Sequence, residues 1–177
     1  TAQSALFTLL AVYATSMNFT ILEISIVTFL LAISGSIAQF PIGKISDFYD
    51  RRKVIVFSTF GASIFSIIVI LVSRQMYLPG GLATSKAWFY VFFIFFSFCS
   101  LPMFSLILAH TNDYISKDKF VAAGAGLQFS FGLGAINGPF LCSIFMYLVG
   151  PNRFFVFLFI FHTTIEIFVI YRIKVRK

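Results

Sequence analysis

His162 and Glu166 stand four residues apart inside a long apolar run, a spacing that puts both on one face of a helix, where they can pair. Glu166 is the only acid well inside such a run, and an ionisable group in that setting is a candidate for proton coupling, with His162 beside it. His110 and Asp113 lie at the end of another run; these two pairs are the groups a membrane-embedded enzyme or complex subunit would use for acid–base chemistry, although solvated caps or loop contacts suit His110 and Asp113 better than catalysis does. The densest charged segment is Pro41-Ile42-Gly43-Lys44-Ile45-Ser46-Asp47-Phe48-Tyr49-Asp50-Arg51-Arg52-Lys53. Here Gly43 lets two helices approach closely. Asp47 can pair with Arg51 or Arg52, or sit at the positive N-terminal end of a neighbouring helix, a contact worth about 0.3–2 kcal/mol and so suited to a latch that must reopen. The plainer reading is a basic loop that marks one side of a membrane.

Other chemistries leave no trace. There is no Walker loop for nucleotide hydrolysis, no Gly-x-Ser-x-Gly elbow, and no His-Glu-x-x-His or Cys-x-x-Cys spacing for a metal, so neither cofactor nor metal is expected. Cys99 and Cys142 lie inside apolar runs and read as small buried hydrophobes.

The elements that must position these groups follow from composition. Of 177 residues 59% are hydrophobic and 11% charged, and 26 are Phe; mean hydropathy is +0.97. Soluble domains carry about 25% charged residues. That balance excludes a soluble enzyme and a disordered tail, and makes the lipid bilayer the expected solvent. The net charge of +7 would suggest nucleic acid in a soluble chain, but the basic residues sit in short breaks between apolar runs, so no nucleic-acid partner is expected. Five runs approach the roughly 20 residues a spanning helix needs: Ile21–Ile42, Val54–Val72, Ala87–Ala109, Phe120–Val149 and Phe154–Ile173. A sixth, Ala2–Met17, comes first and is a little short, as though cut at its start. Lipid cannot satisfy free backbone groups, so all six are expected to be helices and the fold class all-α, a polytopic six-helix bundle over residues 1–177.

Turn chemistry marks the breaks: Asn18, Pro79-Gly80-Gly81, Asn112-Asp113 with Ser116, and Gly150-Pro151-Asn152. Ten of the 13 Lys and Arg fall on one side of the alternating pattern, in the links holding Lys44 and Arg51–Lys53, Lys117 and Lys119, and in the tail from Arg172. Arg74, Lys86 and Arg153 fall on the other. The positive-inside rule then places both chain ends in the cytoplasm, with Tyr77 and Trp88 near a membrane edge. No charged leader precedes the first run, and the missing initial Met fits a piece of a longer protein.

The 43–53 segment resembles the loop signature of the major facilitator superfamily: Gly, three residues, Asp, a basic residue, any residue, Gly, then two or three basic residues. Gly43, Asp47, Arg51, Arg52 and Lys53 match, while Phe48 replaces the basic residue and Asp50 the second Gly. The resemblance covers nearly the whole chain and implies a multi-pass transporter of the plasma (bacterial inner) membrane that moves a small-molecule substrate by alternating access between two six-helix halves. The basic tail after the last run, and Phe104–Asp113 followed by Gly124-Ala125-Gly126, resemble the C-terminal half of bacterial permeases of the YcaD type, so the N-terminal six-helix half would be the partner. Gly43, Asp47, Arg51, Arg52 and Lys53 would form a gate, clasping the N-terminus of the fifth run near Phe120.

The resemblance also implies that runs one, two, four and five line the central cavity, which makes Tyr13, Gln39, Gln128 and Asn137 candidates for its wall. Gln128 and Asn137 are nine residues apart, so they cannot both face one cavity squarely. Gly134 and Gly138 form a Gly-x-x-x-Gly face that is either a bending element or a packing seam. Pro139 and Pro102 should kink their helices. The Gly134–Pro139 pattern resembles an antiporter signature, but Phe140–Ser143 lack its paired Gly, and antiport is not inferred.

Overall fold

The computed structural model describes residues 1–76 and 82–175, with side chains from residue 85 in the second stretch. The expected break at Pro79–Gly81, the edge residue Tyr77, and the tail residues Arg176 and Lys177 lie outside the described residues. Among those described there are seven α-helices and no strand: α1 (Ala2–Ser16), α2 (Ile21–Phe48), α3 (Arg51–Gln75), α4 (Leu82–Ser100), α5 (Met103–Asn112), α6 (Phe120–Val149) and α7 (Phe154–Val175), with short 3-10 turns at Lys117–Lys119 and Pro151–Arg153. The all-α class is therefore as expected.

Among the described residues five stretches are long and apolar enough to cross a bilayer: Ile21–Phe48, Arg51–Gln75, Ser85–Asn112, Lys117–Val149 and Pro151–Val175. The first helix is not among them, which corrects the expected six. Its 15 residues rise about 22 Å, short of a hydrocarbon core about 30 Å thick. The fourth span is two helices, not one. Pro102 has no N–H to continue the ladder; α4 stops at Ser100 and α5 restarts with Pro102 as its N-cap, the Leu106 N–H donating to the Pro102 carbonyl at 3.0 Å. Pro41 and Pro139, in contrast, are carried inside unbroken helices.

Turn chemistry is local and legible. Asn18 adopts the left-handed conformation with φ 58° between α1 and α2. Thr20 then caps α2 in a reciprocal box with Glu23: the Glu23 N–H donates to the Thr20 hydroxyl, and the Thr20 N–H donates to the Glu23 carboxylate at 2.7 Å. Gly150, at φ 113°, turns α6 into α7.

In lipid the contrast between apolar core and apolar solvent is small, so helices associate through close packing. α3 is the hub, packing most extensively on α4 and α7. Its buried seam is made of small residues, Ser58, Thr59, Ala62, Ser63 and Ser66, several returning their hydroxyl protons to carbonyls one turn back. Gly61 allows the approach to α4, since a Cβ there would lie 2.8 Å from the Cys99 sulfur. Gly35 of α2 leaves no room for a Cβ against Leu101. Around these backbones an aromatic cluster fills the bundle: Phe89, Phe93 and Phe96 of α4 meet Phe155 of α7 edge-on, with ring centroids 6.1, 6.2 and 5.5 Å apart. Cys99 and Cys142 are free thiols, half-buried and buried.

Candidate functional site

The charged segment is mostly helix. α2 runs on to Phe48, carrying Gly43, Lys44 and Asp47, and α3 begins at Arg51, so the expected loop shrinks to Tyr49 and Asp50; the close helix approach expected at Gly43 is absent among the described residues, since a Cβ there would meet nothing within 4 Å. Tyr49 is extended, and Asp50 caps α3 by accepting from the Arg52 N–H at 2.9 Å. The Asp50 carboxylate also pairs with the Arg52 guanidinium at 3.1 Å. That hydrogen bond, against some desolvation, holds the Asp50 carboxyl below its ordinary range.

This tight turn aims Arg51 across the end of the bundle. Its Nη2 meets Asp47 of α2 at 3.0 Å, its Nη1 donates to the Ser46 hydroxyl at 3.2 Å, and its Nε meets Asp113, the C-cap of α5, at 2.6 Å. One guanidinium thus ties three helices, using a planar fork that a lysine could not supply. The Arg51 side chain is 21% exposed against 65% for Asp47 and 45% for Asp113. The cation sits inward and both acids face an open cleft of about 410 Å³, which His110 and Tyr114 also line. The expected contact of Asp47 with the start of the fifth run is replaced by this pairing: α6 is entered through Lys119, with no side-chain cap. Asp113, which sequence reasoning held as an alternative acid–base group, is the third member of the clasp.

At the opposite end of α2, Lys86 of α4 meets both Glu23 oxygens at 2.8 Å, donates to the Asn18 carbonyl at 3.3 Å and lies over the Phe19 ring. The clasp and this pair mark the two ends of α2.

The remaining candidates are dispersed. Tyr13 is a correction: it is 1% exposed, packed on Phe154 and Phe155, and its hydroxyl shares a hydrogen bond with Ser73 at 2.7 Å. Its ring belongs to the core. Gln39, Gln128 and Asn137 are exposed. The Asn137 amide donates to the Leu133 carbonyl at 2.8 Å, leaving its oxygen outward. His162 is buried and turns away from the expected Glu166 pair: its Nδ1–H donates to the Leu158 carbonyl at 2.8 Å, which leaves Nε2 to accept from the Ser100 hydroxyl at 2.9 Å. Glu166 is half-buried and makes no ion pair or hydrogen bond among the described residues. Gly134 and Gly138 seat the start of α1: the Ser4 hydroxyl donates to the Gly134 carbonyl at 2.9 Å, and a Cβ at Gly138 would collide with Thr1 and Ser4. Among the described residues no group of three or more His, Cys, Asp or Glu is placed to hold a metal.

Among the described residues, five membrane-length apolar stretches and a charged clasp at one end of the helices describe a multi-pass membrane protein. The family profile of the Major Facilitator Superfamily matches residues 1–176, and the chain belongs to that superfamily. It is similar to uncharacterized MFS-type transporters of Yersinia enterocolitica, 28% identical over 127 residues, and of Yersinia pestis and Yersinia pseudotuberculosis, 26% identical over 127 residues. Each match covers 72% of this chain and 30% of the relative's length. No solved structure matches. The family and these relatives are transporters, which decides against the membrane enzyme built on His110/Asp113 or His162/Glu166. The comparisons bear on the superfamily and do not reach the narrower YcaD type.

Proposed function

We propose that residues 1–177 belong to the C-terminal half of a twelve-helix secondary transporter, with the short α1 as part of its first helix, working with an N-terminal six-helix half of the same protein to move a small solute by alternating access. In this reading the Gly43–Lys53 clasp faces the cytoplasm of a bacterial inner membrane, and both ends of the chain lie on that side. The Arg51 bridge carries the proposal. It joins the ends of α2, α3 and α5 through contacts that are partly solvated and can break and re-form. An exposed ion pair contributes about 0.2–1 kcal/mol, so two pairs on one guanidinium bias the closed state by roughly two- to thirtyfold. A gradient drives the cycle, since one charge crossing about 100 mV supplies about 2.3 kcal/mol. Gln39, Gln128 and Asn137 stand on exposed helix faces; Gln39 and the flanks on which Gln128 and Asn137 stand, half a turn apart on α6, serve as the wall this half contributes to the solute path. Glycines 134 and 138 form the seam on which α1 rides.

The test is uptake by the full-length protein in proteoliposomes, with and without a pH gradient. Asp47→Ala and Asp113→Asn should each lower uptake about fivefold while expression stays near normal. The double variant should fall little further, because both acids act on one guanidinium. Undiminished uptake in both single variants removes the clasp from the mechanism.

A further inference from the structure

An apolar groove of about 380 Å³ opens between α3 and α7 at the end of the bundle that holds the clasp. Its α3 wall is Lys53, Phe57 and Phe60, spaced by four and three residues on one helix face, and its α7 wall is Ile170, Ile173 and Lys174. Phe57 is 77% exposed and Phe60 50%. In a bilayer protein such faces meet acyl chains. The two lysines stand at the mouth, one in the first turn of α3 and one in the last turn of α7.

The charges around that mouth are unevenly spent. Arg51 is matched by Asp47 and Asp113, and Arg52 is paired with Asp50. Lys53 and Lys174 make no ion pair among the described residues. Glu166 lies eight residues before Lys174 on α7, about 12 Å deeper along the axis, at the level of the tails and away from any headgroup. The groove therefore has an apolar floor at tail depth and, at headgroup depth, two lysines that make no ion pair among the described residues, with Asp50 near enough to feel the Lys53 charge while its own carboxylate is bonded to Arg52.

We infer that this groove is a binding site for an anionic phospholipid, whose phosphate rests between Lys53 and Lys174 while an acyl chain packs along Phe57, Phe60, Ile170 and Ile173. Basic pockets between spanning helices take lipid headgroups for this reason: phosphate charge is met where the dielectric is falling. The site uses Lys53 from the end of the Gly43–Lys53 segment but neither Arg51 nor its acid partners, and it is independent of the solute carried. It assigns Lys53 a partner in the membrane, where the family resemblance would place it in the gate.

The test uses the full-length protein, extracted with bound lipid from phosphatidylglycerol or phosphatidylcholine nanodiscs and measured by native mass spectrometry. The wild type should retain phosphatidylglycerol about tenfold over phosphatidylcholine. The K53Q/K174Q double variant should lose that preference, and Phe57→Ala should weaken retention of both lipids. Arg172→Gln, outside the groove, should change nothing. Equal retention of the two lipids by the wild type, or an unchanged preference in K53Q/K174Q, overturns the site. So does a loss with Arg172→Gln as large as with the lysine pair, because the tail's charge alone would then explain it. Release of the lipid by millimolar inorganic phosphate would show that the headgroup alone is held, and would also overturn the site as a groove for a whole lipid. Size-exclusion profiles matching the wild type keep each variant interpretable as a folded protein.

Discussion

Arg51 carries its functional weight through geometry: its fork reaches Ser46, Asp47 and Asp113 at once. Replacing it by Lys keeps the charge and loses the fork, so Arg51→Lys should behave like Arg51→Ala in uptake, within about twofold. Recovery by Lys to wild-type uptake would mean that charge alone is needed. The Ser100–His162 contact is a different kind of polar feature. Both residues are buried, and both ring nitrogens are satisfied. Ser100→Ala would strand Nε2 where water cannot replace the hydroxyl, a cost of about 1–3 kcal/mol. A thermal unfolding scan in detergent should show a lower midpoint with little change in initial uptake. An unchanged midpoint would show that Nε2 finds another donor.

At the scale of elements, the break at Leu101–Pro102 decides where the clasp closes. α5 is a short helix that restarts after Pro102, and it delivers Asp113 to Arg51. Pro102→Ala restores an N–H to the ladder and lets α4 and α5 join, which moves the end of α5 relative to α3. Uptake should fall as far as in Asp113→Asn, and Pro102→Ala combined with Asp113→Asn should add little. If the combined variant loses the product of the two single effects, the break acts through something other than Asp113. α2 depends on a finer device. Gly35 sits against the Leu101 side chain with no space for a Cβ, so the approach of α2 to the break between α4 and α5 depends on a missing methyl group.

Across the whole molecule, the distribution of burial is lopsided. Of the 30 residues of α6 only Gly138, Cys142 and Met146 are buried, and Ile136, Phe140, Tyr147 and Leu148 are 73%, 62%, 89% and 73% exposed. Such a helix needs lipid, another half-bundle or a water-filled path on its remaining sides. The transporter reading divides these sides. In full-length protein lacking Cys99 and Cys142, cysteines placed at Gln128 and Asn137 should react with a water-soluble thiol reagent, whereas Tyr13→Cys should stay protected. Labelling at position 13 with none at 128 or 137 would reverse the assignment of the path.

Several features were legible in the residue order because they are local. Hydropathy summed over about 20 residues fixes which segments enter lipid. Asn18, Gly150 and Pro102 carry their backbone consequences with them, and the Gly43–Lys53 spacing points to the superfamily that the profile match over residues 1–176 shows. Which face of each helix meets which neighbour is a different matter. It depends on rotation and crossing angle, where one residue is 100° of turn, and these are set by contacts among all the helices together. Only the tertiary structure therefore enclosed Tyr13 in an aromatic core, gave His162 to Ser100 instead of Glu166, and brought Asp113 from a distant helix end to Arg51.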